Sequence, residues 1–528
     1  MKSLMKKVFA AAAAIATVFG LAATTVATAN AADNATLTVS TTDAKFASKT
    51  VNAYKMFSAT VSGDGKAVSY TLTDEWKPFF KNSVGLTGVT DENVNDKAND
   101  YVSKLKDSTL VAFATKASNW AQTKANNITA DATATVSADA SNGKYTATFT
   151  GLGYGYYVVA VPGATLANAK SQYATLVSVH STKVDADIKG DLPTVDKKVQ
   201  VDGTGKDATD AKIGDTLTFT LTSTIPDMSA YDTYTFNFKD TLSKGLTFGQ
   251  VKSVKVENVT LTENTDYTVT TPTASNNNTL TVAMKDFKTK QQANAGKKIT
   301  VTYTATLNEN AVVGGAGNVN SAKIQYSNNP STNGTGESEP SKVRVFTYGF
   351  TVDKYTGDQY TDAATRLAGA EFTLAHKDGS AISFVQVSAG SATANAVYRV
   401  AKAGETGTTT ITTPANGKVV FEGLKNGEYT LTETKAPAGY NKLASAIGVK
   451  VNGQNNGTDT TNATVTITYN NDNGNDYNQT ASNGVIPVQN KSGAILPGTG
   501  GMGTIAFTVI GVLVIALGVA WTLKRKNA

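Results

Sequence analysis

The chain has no cysteine and only two histidines among its 528 residues. Without thiols there is no thiol nucleophile, no disulfide framework and no cysteine-rich zinc site. His180 and His376 lie in different segments, so no histidine-based triad is expected, and each reads as an ordinary strand residue. Blocks of one charge are also missing. The net charge is +6, but lysines and acids are interspersed, and no basic run tracks a phosphate backbone, so nucleic acid is not an expected partner. Cofactor motifs are lacking too. "GLGYGYY" (Gly151–Tyr157) is followed by no Gly-Lys-Ser/Thr and no helix start, and it reads as a hairpin turn. "NNDNGNDYN" (Asn470–Asn478) has neither the spaced acids nor the terminal glutamate of a calcium loop, so it reads as a turn. Neither a metal nor a cofactor is expected.

What the chain does have is strand chemistry. Hydrophobic residues make up 40%, and threonine and valine favour strands. The length suits about three domains plus terminal segments. In 32–190 strands mix with one helical zone, where Val102, Leu105, Leu110, Phe113, Ala117 and Trp120 recur at close to helical spacing. In 191–345, "TLTFTLTSTIPD", "YTFNFKD" and "KITVTYTATL" alternate cleanly. In 346–490, "GAEFTL", "GKVVFEGL" and "GEYTLTETKAPAGY" repeat the style with glycine-rich turns between. The expected fold is mainly β: tandem immunoglobulin-like sandwiches, the N-terminal one with an added helix.

"TVDK" occurs twice, at Thr194–Lys197 and Thr351–Lys354. Side chains alternate faces along a strand, so Lys197 shares the inward face of Val195 and Val199. Asp240 shares a face with Tyr234, Phe236 and Phe238, and Asn320 with Ala322, Ile324 and Tyr326. Asn318 has the same parity and is the alternative to Asn320. The third domain repeats the set: Lys354 with Phe350 and Val352, Glu433 with Tyr429 and Leu431, Asn490 with Ile486 and Val488. Uncompensated buried ions cost several kcal/mol each. A covalent role accounts for two complete sets. Burial lowers a lysine's pKa and raises a carboxyl's. A neutral amine then attacks the asparagine carbonyl, an acid polarises it and shuttles protons, and the fold supplies proximity. Ammonia leaves and a Lys–Asn isopeptide bond remains, expected to tie first strand to last. Asp240 and Glu433 are the promoting acids of a single-turnover internal reaction, so no enzyme is expected.

The two ends read as targeting segments. Lys2, Lys6 and Lys7, the apolar run Val8–Ala23 and "ATANA" form a signal peptide over 1–31. At the other end, 491–528 holds "LPGTG" (Leu496, Pro497, Gly498, Thr499, Gly500), an uncharged stretch over 505–523 and the basic Lys524, Arg525 and Lys526. That stretch is long enough for a membrane helix, with the tail as a stop. This order looks like the cell-wall sorting signal of Gram-positive surface proteins. The resemblance implies a sortase that cuts between Thr499 and Gly500 and holds Thr499 as a thioester until an amine attacks.

With the Lys–acid–Asn sets, the chain resembles the sortase-assembled pilins. "LAGAEFTL" and "YTLTETKAPAGY" look like the early strand and E-box of their Cna-type isopeptide domains. "PTVDKKV", "DTLSKGLTF" and "GNVNSAKIQYSNNP" look like their second domain. The resemblance implies a backbone subunit joined covalently to other copies of itself, with sortase, other pilins, peptidoglycan and a host or surface receptor as partners. It would lie at the cell surface, anchored to the wall, and support adhesion. It also implies a surface lysine as polymerising nucleophile. Lys189, nearest the joint before 191, is preferred, with Lys183 and Lys198 as alternatives. A monomeric wall-anchored adhesin is the other reading.

Overall fold

Alternating strands such as Ala35–Thr41, with Ala35, Leu37 and Val39 buried, dominate the fold, 46% strand against 15% helix. The computed structural model describes residues 34–493 and 502–526, apart from residue 64 and residues 165–173, 330–332, 362–363, 456, 458–462 and 472–475. The expected signal peptide and the Leu496–Gly500 motif lie outside the described residues, as does part of the Asn470–Asn478 turn. Two compact units are present. One runs through Tyr348 and takes in Gly453–Thr464; the other has Gly349–Asn452 and the residues from Val465 on.

The first sheets of the first unit use strands up to Asp187. A three-stranded sheet runs Tyr145–Leu152, Ala35–Thr41, Lys183–Asp187, the last pair parallel. A five-stranded sheet centres on Thr50–Val61 and Gly155–Ala160. Strands Tyr145–Leu152 and Gly155–Ala160 therefore do not form the expected hairpin; the turn between them passes from one sheet to the other. Gly155–Ala160 is buried at every residue and is flanked by Thr50–Val61 and Ala174–Val179, so no edge is left for Tyr145–Leu152. A Cβ at Gly155 would meet the Phe57 carbonyl oxygen at 2.5 Å, which explains a glycine there.

The single helix expected across Val102–Trp120 is two, Val94–Ser103 and Asp107–Gln122. Lys106 is extended between them, and its N–H donates to Thr109 Oγ1 at 3.0 Å, capping the second helix. Phe113 and Ala117 pack with Trp76, Phe79, Phe80 and Met56 in one core.

Two further sheets complete the first unit's strand framework. One runs Thr204–Lys206, Asp196–Val201, Thr216–Thr224, Lys298–Leu307, Leu246–Val256, Val259–Thr260. The other runs Ala208–Asp210, Ser341–Phe346, Asn318–Ser327, Phe236–Leu242, Thr279–Met284, Tyr267–Thr270, with Thr335–Glu337 on Asn318–Ser327.

The strands from Tyr348 onward form two more sheets. In one, Tyr348–Thr356 has Val485–Gln489 as a parallel neighbour, with Thr365–Arg366, Lys418–Leu424, Ala396–Val400 and Phe384–Ser388. The other pairs Gly427–Lys435 with Glu371–His376 on one side and Ile447–Gln454 on the other. Among the described residues no helix is long and apolar enough to cross a membrane. The helix Met502–Lys526 covers the span expected over 505–523, but its side chains are described only from Thr508 to Leu523 and at Arg525. Val512, Ile515 and Leu517 are exposed there.

Candidate functional site

Lys197 and Asp240 have wholly inaccessible side chains and form an ion pair. Their strands face each other: Lys197 lies on Asp196–Val201 in one sheet, Asp240 on Phe236–Leu242 in the other. Asn320 lies on the strand beside Asp240, where Leu242 is its register partner. The three residues meet through a fourth that sequence reasoning missed. Tyr303, fully buried, accepts a hydrogen bond from Lys197 Nζ at 2.9 Å and another from Asn320 Nδ2 at 2.7 Å. Its hydroxyl donates to Asp240 Oδ2 at 2.6 Å. Its ring stacks on Phe219 at 5.3 Å, and Lys197 Nζ lies 5.2 Å from the centre of each ring. A signal was there to be read: in "KITVTYTATL" Tyr303 is a hydroxyl-bearing residue with the inward parity of Val301 and Ala305.

The structure separates the two asparagines. Asn318 is tied to backbone: Nδ2 donates to the Val312 and Val345 carbonyls, and Oδ1 accepts from Val312 N–H. Asn320 faces the lysine–carboxylate pair, and its Oδ1 accepts no hydrogen bond among the described residues. Burial pulls the Lys197 ammonium down to about 8, with Asp240 opposing the shift. Burial pushes the Tyr303 phenol well above its usual range, and the Asp240 charge adds to this.

The third domain assembles its set differently. Lys354 Nζ lies 3.0 Å from Glu433 Oε1, and neither side chain reaches solvent. Asn490 Nδ2 donates to Glu433 Oε2 at 3.0 Å and to the Asn441 carbonyl at 2.9 Å. Leu443 N–H donates to the same carboxylate oxygen at 2.8 Å. The chain after "TETKAPAGY" thus folds back to hold both the acid and the amide, contacts that strand parity could not predict. Burial again brings the lysine down to about 8, against the pull of Glu433. Asn490 Oδ1 is buried and accepts no hydrogen bond among the described residues. Buried polar atoms left unpaired are uncommon and call for an explanation.

The strand order of first, middle and last does not hold for both sets. Lys354 and Asn490 belong to parallel neighbours in one sheet, where Lys354 pairs with Val488 and Asn490 N–H reaches the Tyr355 carbonyl at 3.0 Å. Glu433 comes from the opposite sheet. In the second domain it is the lysine that crosses. Nor is Asn320 on a last strand, because Thr335–Glu337 and Ser341–Phe346 follow it. The reason lies in Ser341–Phe346, which pairs with Asn318–Ser327 and completes the sheet beyond the asparagine.

The two "TVDK" copies also differ at aspartate. Asp196 is exposed and pairs with Lys198 at 3.2 Å. Asp353 is fully buried. Arg366 Nε lies 2.7 Å from it, Lys418 Nζ 3.6 Å, and Tyr360 OH donates to it at 2.9 Å. Arg366 comes from the neighbouring strand Thr365–Arg366 and covers what would be the outer face.

Of the three candidate polymerising lysines, Lys183 is exposed and Lys189 is partly exposed, 3.5 Å from Asp187. Lys198 is held by Asp207 at 2.5 Å and by Asp196, which raise its pKa and keep it protonated, a poor nucleophile. His180 bonds Ser178 and His376 packs on Tyr429. Among the described residues no cluster of three His, Asp or Glu could hold a metal.

Two stretches match known families. Residues 213–330 match the Gram-positive pilin backbone subunit 2, Cna-B-like domain, and residues 358–466 match the SpaA prealbumin-like fold domain. The fold is thus mainly β, and two of its stretches match Cna-B-like and prealbumin-like domain models. The chain is similar to the trypsin-resistant surface T6 protein of Streptococcus pyogenes serotype M6, 26% identical over 48% of this chain and 44% of that protein. The alignment therefore spans less than half of that relative's length. Among solved structures it is similar to the T6 backbone pilin of the same organism (20% identity, 80% of this chain and 83% of that one, TM-score 0.45). It is also similar to the full-length major pilin SpaD of Corynebacterium diphtheriae (22% identity, 77% and 89%, TM-score 0.38).

Proposed function

We propose that the chain is the major subunit of a sortase-assembled pilus, covalently polymerised and anchored to the Gram-positive cell wall, where it supports adhesion. The observation that carries this reading is the pair of fully buried Lys–carboxylate–Asn sets, Lys197–Asp240–Asn320 and Lys354–Glu433–Asn490. Each set has a lysine lowered toward neutrality, an acid in contact with it and an asparagine amide held beside them. That is the inventory for one internal amide exchange, after which the site is spent. Two Lys–Asn isopeptide bonds follow, with ammonia lost at each. Such bonds suit a subunit that must keep its fold outside the cell without disulfides.

Polymerisation rests on the sequence: Thr499 of "LPGTG" as acyl donor to a sortase, and a surface lysine of the next copy as acceptor. Lys189, with Lys183 as alternative, supplies that amine. Cell-wall extracts boiled in detergent should show a high-mass ladder reactive with antibody to this chain. Replacing Lys189, Lys183 and Lys198 together by Ala should collapse it to monomer. A single band at monomer mass from wild-type cells would sink the pilus reading in favour of a monomeric wall-anchored adhesin.

A further inference from the structure

We propose that the Tyr303 hydroxyl is a catalytic group of the second domain, relaying a proton from Asp240 to the nitrogen that leaves Asn320. The inference rests on the isopeptide reading above, and it arises from a difference between the two sets. In the third domain one carboxylate reaches both reacting groups: Lys354 Nζ is 3.0 Å from Oε1, and Asn490 Nδ2 donates to Oε2 at 3.0 Å. A glutamate can therefore take a proton from the amine and hand one to the departing nitrogen. In the second domain the acid is an aspartate, one methylene shorter. It contacts Lys197, but the Asn320 nitrogen donates to Tyr303 instead, at 2.7 Å. Tyr303 in turn donates to Asp240 Oδ2 at 2.6 Å. The phenol oxygen fills the gap left by the missing methylene, and its hydrogen-bond direction, from Asn320 to Tyr303 to Asp240, is that of a relay ready to reverse.

The step balances as follows. The Lys197 ammonium gives a proton to the Asp240 carboxylate. Its freed lone pair forms a bond to Asn320 Cγ, and the carbonyl π electrons move to Oδ1. On collapse the C=O bond reforms and the Cγ–Nδ2 bond breaks, its electron pair staying on nitrogen. That nitrogen takes the Tyr303 hydroxyl proton while the Tyr303 oxygen takes the proton held by Asp240. The new amide nitrogen returns its surplus proton to Asp240, and ammonia departs. Tyr303 ends as it began, and no outside reactant is consumed. General acid–base groups of this kind contribute on the order of 10²–10⁴-fold.

The test uses the full chain, translated in a cell-free system and quenched in acid at intervals. After digestion, the Lys197–Asn320 crosslinked peptide is quantified against the Lys354–Asn490 peptide of the same molecule. Tyr303→Phe keeps the ring on Phe219 and removes only the hydroxyl. It should slow the first linkage on the order of 10²-fold and leave the second at its wild-type rate. A first linkage forming at its wild-type rate in Tyr303→Phe would overturn the relay while leaving the isopeptide reading intact. Absence of the Lys197–Asn320 peptide from the wild-type chain would overturn both. Should Tyr303→Phe prove unfolded by protease sensitivity, 3-fluorotyrosine at position 303 keeps the shape and makes the phenol more acidic. A shifted rate confined to the first linkage then supports the relay, and an unchanged rate refutes it.

Discussion

Asp240→Ala and Glu433→Ala should each abolish one crosslink. Apart from the change in residue mass, the intact protein should gain about 17 Da per variant, the ammonia no longer lost, since the proximity-driven exchange stops. The acids matter because an amide carbonyl is a weak electrophile and ammonia a poor leaving group, so the amine alone is not enough. The thermal effect should be large. Asn320 lies 123 residues after Lys197, and Asn490 lies 136 after Lys354. By analogy with disulfides, closing such loops stabilises by about 5 kcal/mol. Each variant also strands a buried lysine, a further loss of about 3–5 kcal/mol unless the site rearranges. At roughly 2–4 °C per kcal/mol, the affected domain should melt at least 10 °C lower and become sensitive to trypsin. Calorimetry and intact-mass measurement of the same samples check both claims. Variants that keep the wild-type mass deficit would refute the assigned acids.

Asp353→Ala should weaken the third domain without preventing its crosslink. The aspartate is fully buried under Arg366, Lys418 and Tyr360. Losing it leaves two cations and a hydroxyl without their common acceptor. Because Arg366 and Lys418 reach solvent in part, the cost should fall at the low end for breaking a buried pair, about 3 kcal/mol. That corresponds to a melting point roughly 10 °C lower. Mass should remain that of the crosslinked chain, because Lys354 and its partners lie on the other face of the strand. An unchanged melting point would show that the Asp353 cluster contributes nothing net, and a gain in mass would show that it positions Lys354.

These contrasts mark what a sequence can convey about such a site. Lys197, Asp240, Asn320, Lys354, Glu433 and Asn490 were visible because strand side chains alternate with a period of two, which fixes a face from a few neighbours. Parity does not say which strands become neighbours. It was silent on Lys354 and Asn490 sharing a sheet while Lys197 and Asn320 do not. It gives a face but not what covers that face, so the burial of Asp353 under Arg366 lay beyond it. Tyr303 had inward parity but lay in a strand with no other chemistry to single it out. Asn441 and Leu443 act through backbone groups in a loop, where no periodicity applies. The helical zone was recognised from its apolar spacing, yet the extended Lys106 and its cap by Thr109 divide it.

The parallel pairing of Tyr348–Thr356 with Val485–Gln489 would have a mechanical consequence with the proposed Lys–Asn bonds in place. Tension applied to the third domain enters near Lys354 and leaves just past Asn490, so a covalent bridge between them carries the load and the residues between are never stretched. The second domain is not shielded in the same way. Its bridge ends at Asn320, and the stretch from Ser321 through Phe346 remains in the path of force. At about 3.4 Å per residue, pulling that stretch free of its sheet should lengthen the second domain on the order of 75 Å, and the third domain not at all. Single-molecule extension of the chain between its ends would register one such step. The second domain would then serve as a shock absorber with a fixed stop, and the third as an inextensible link.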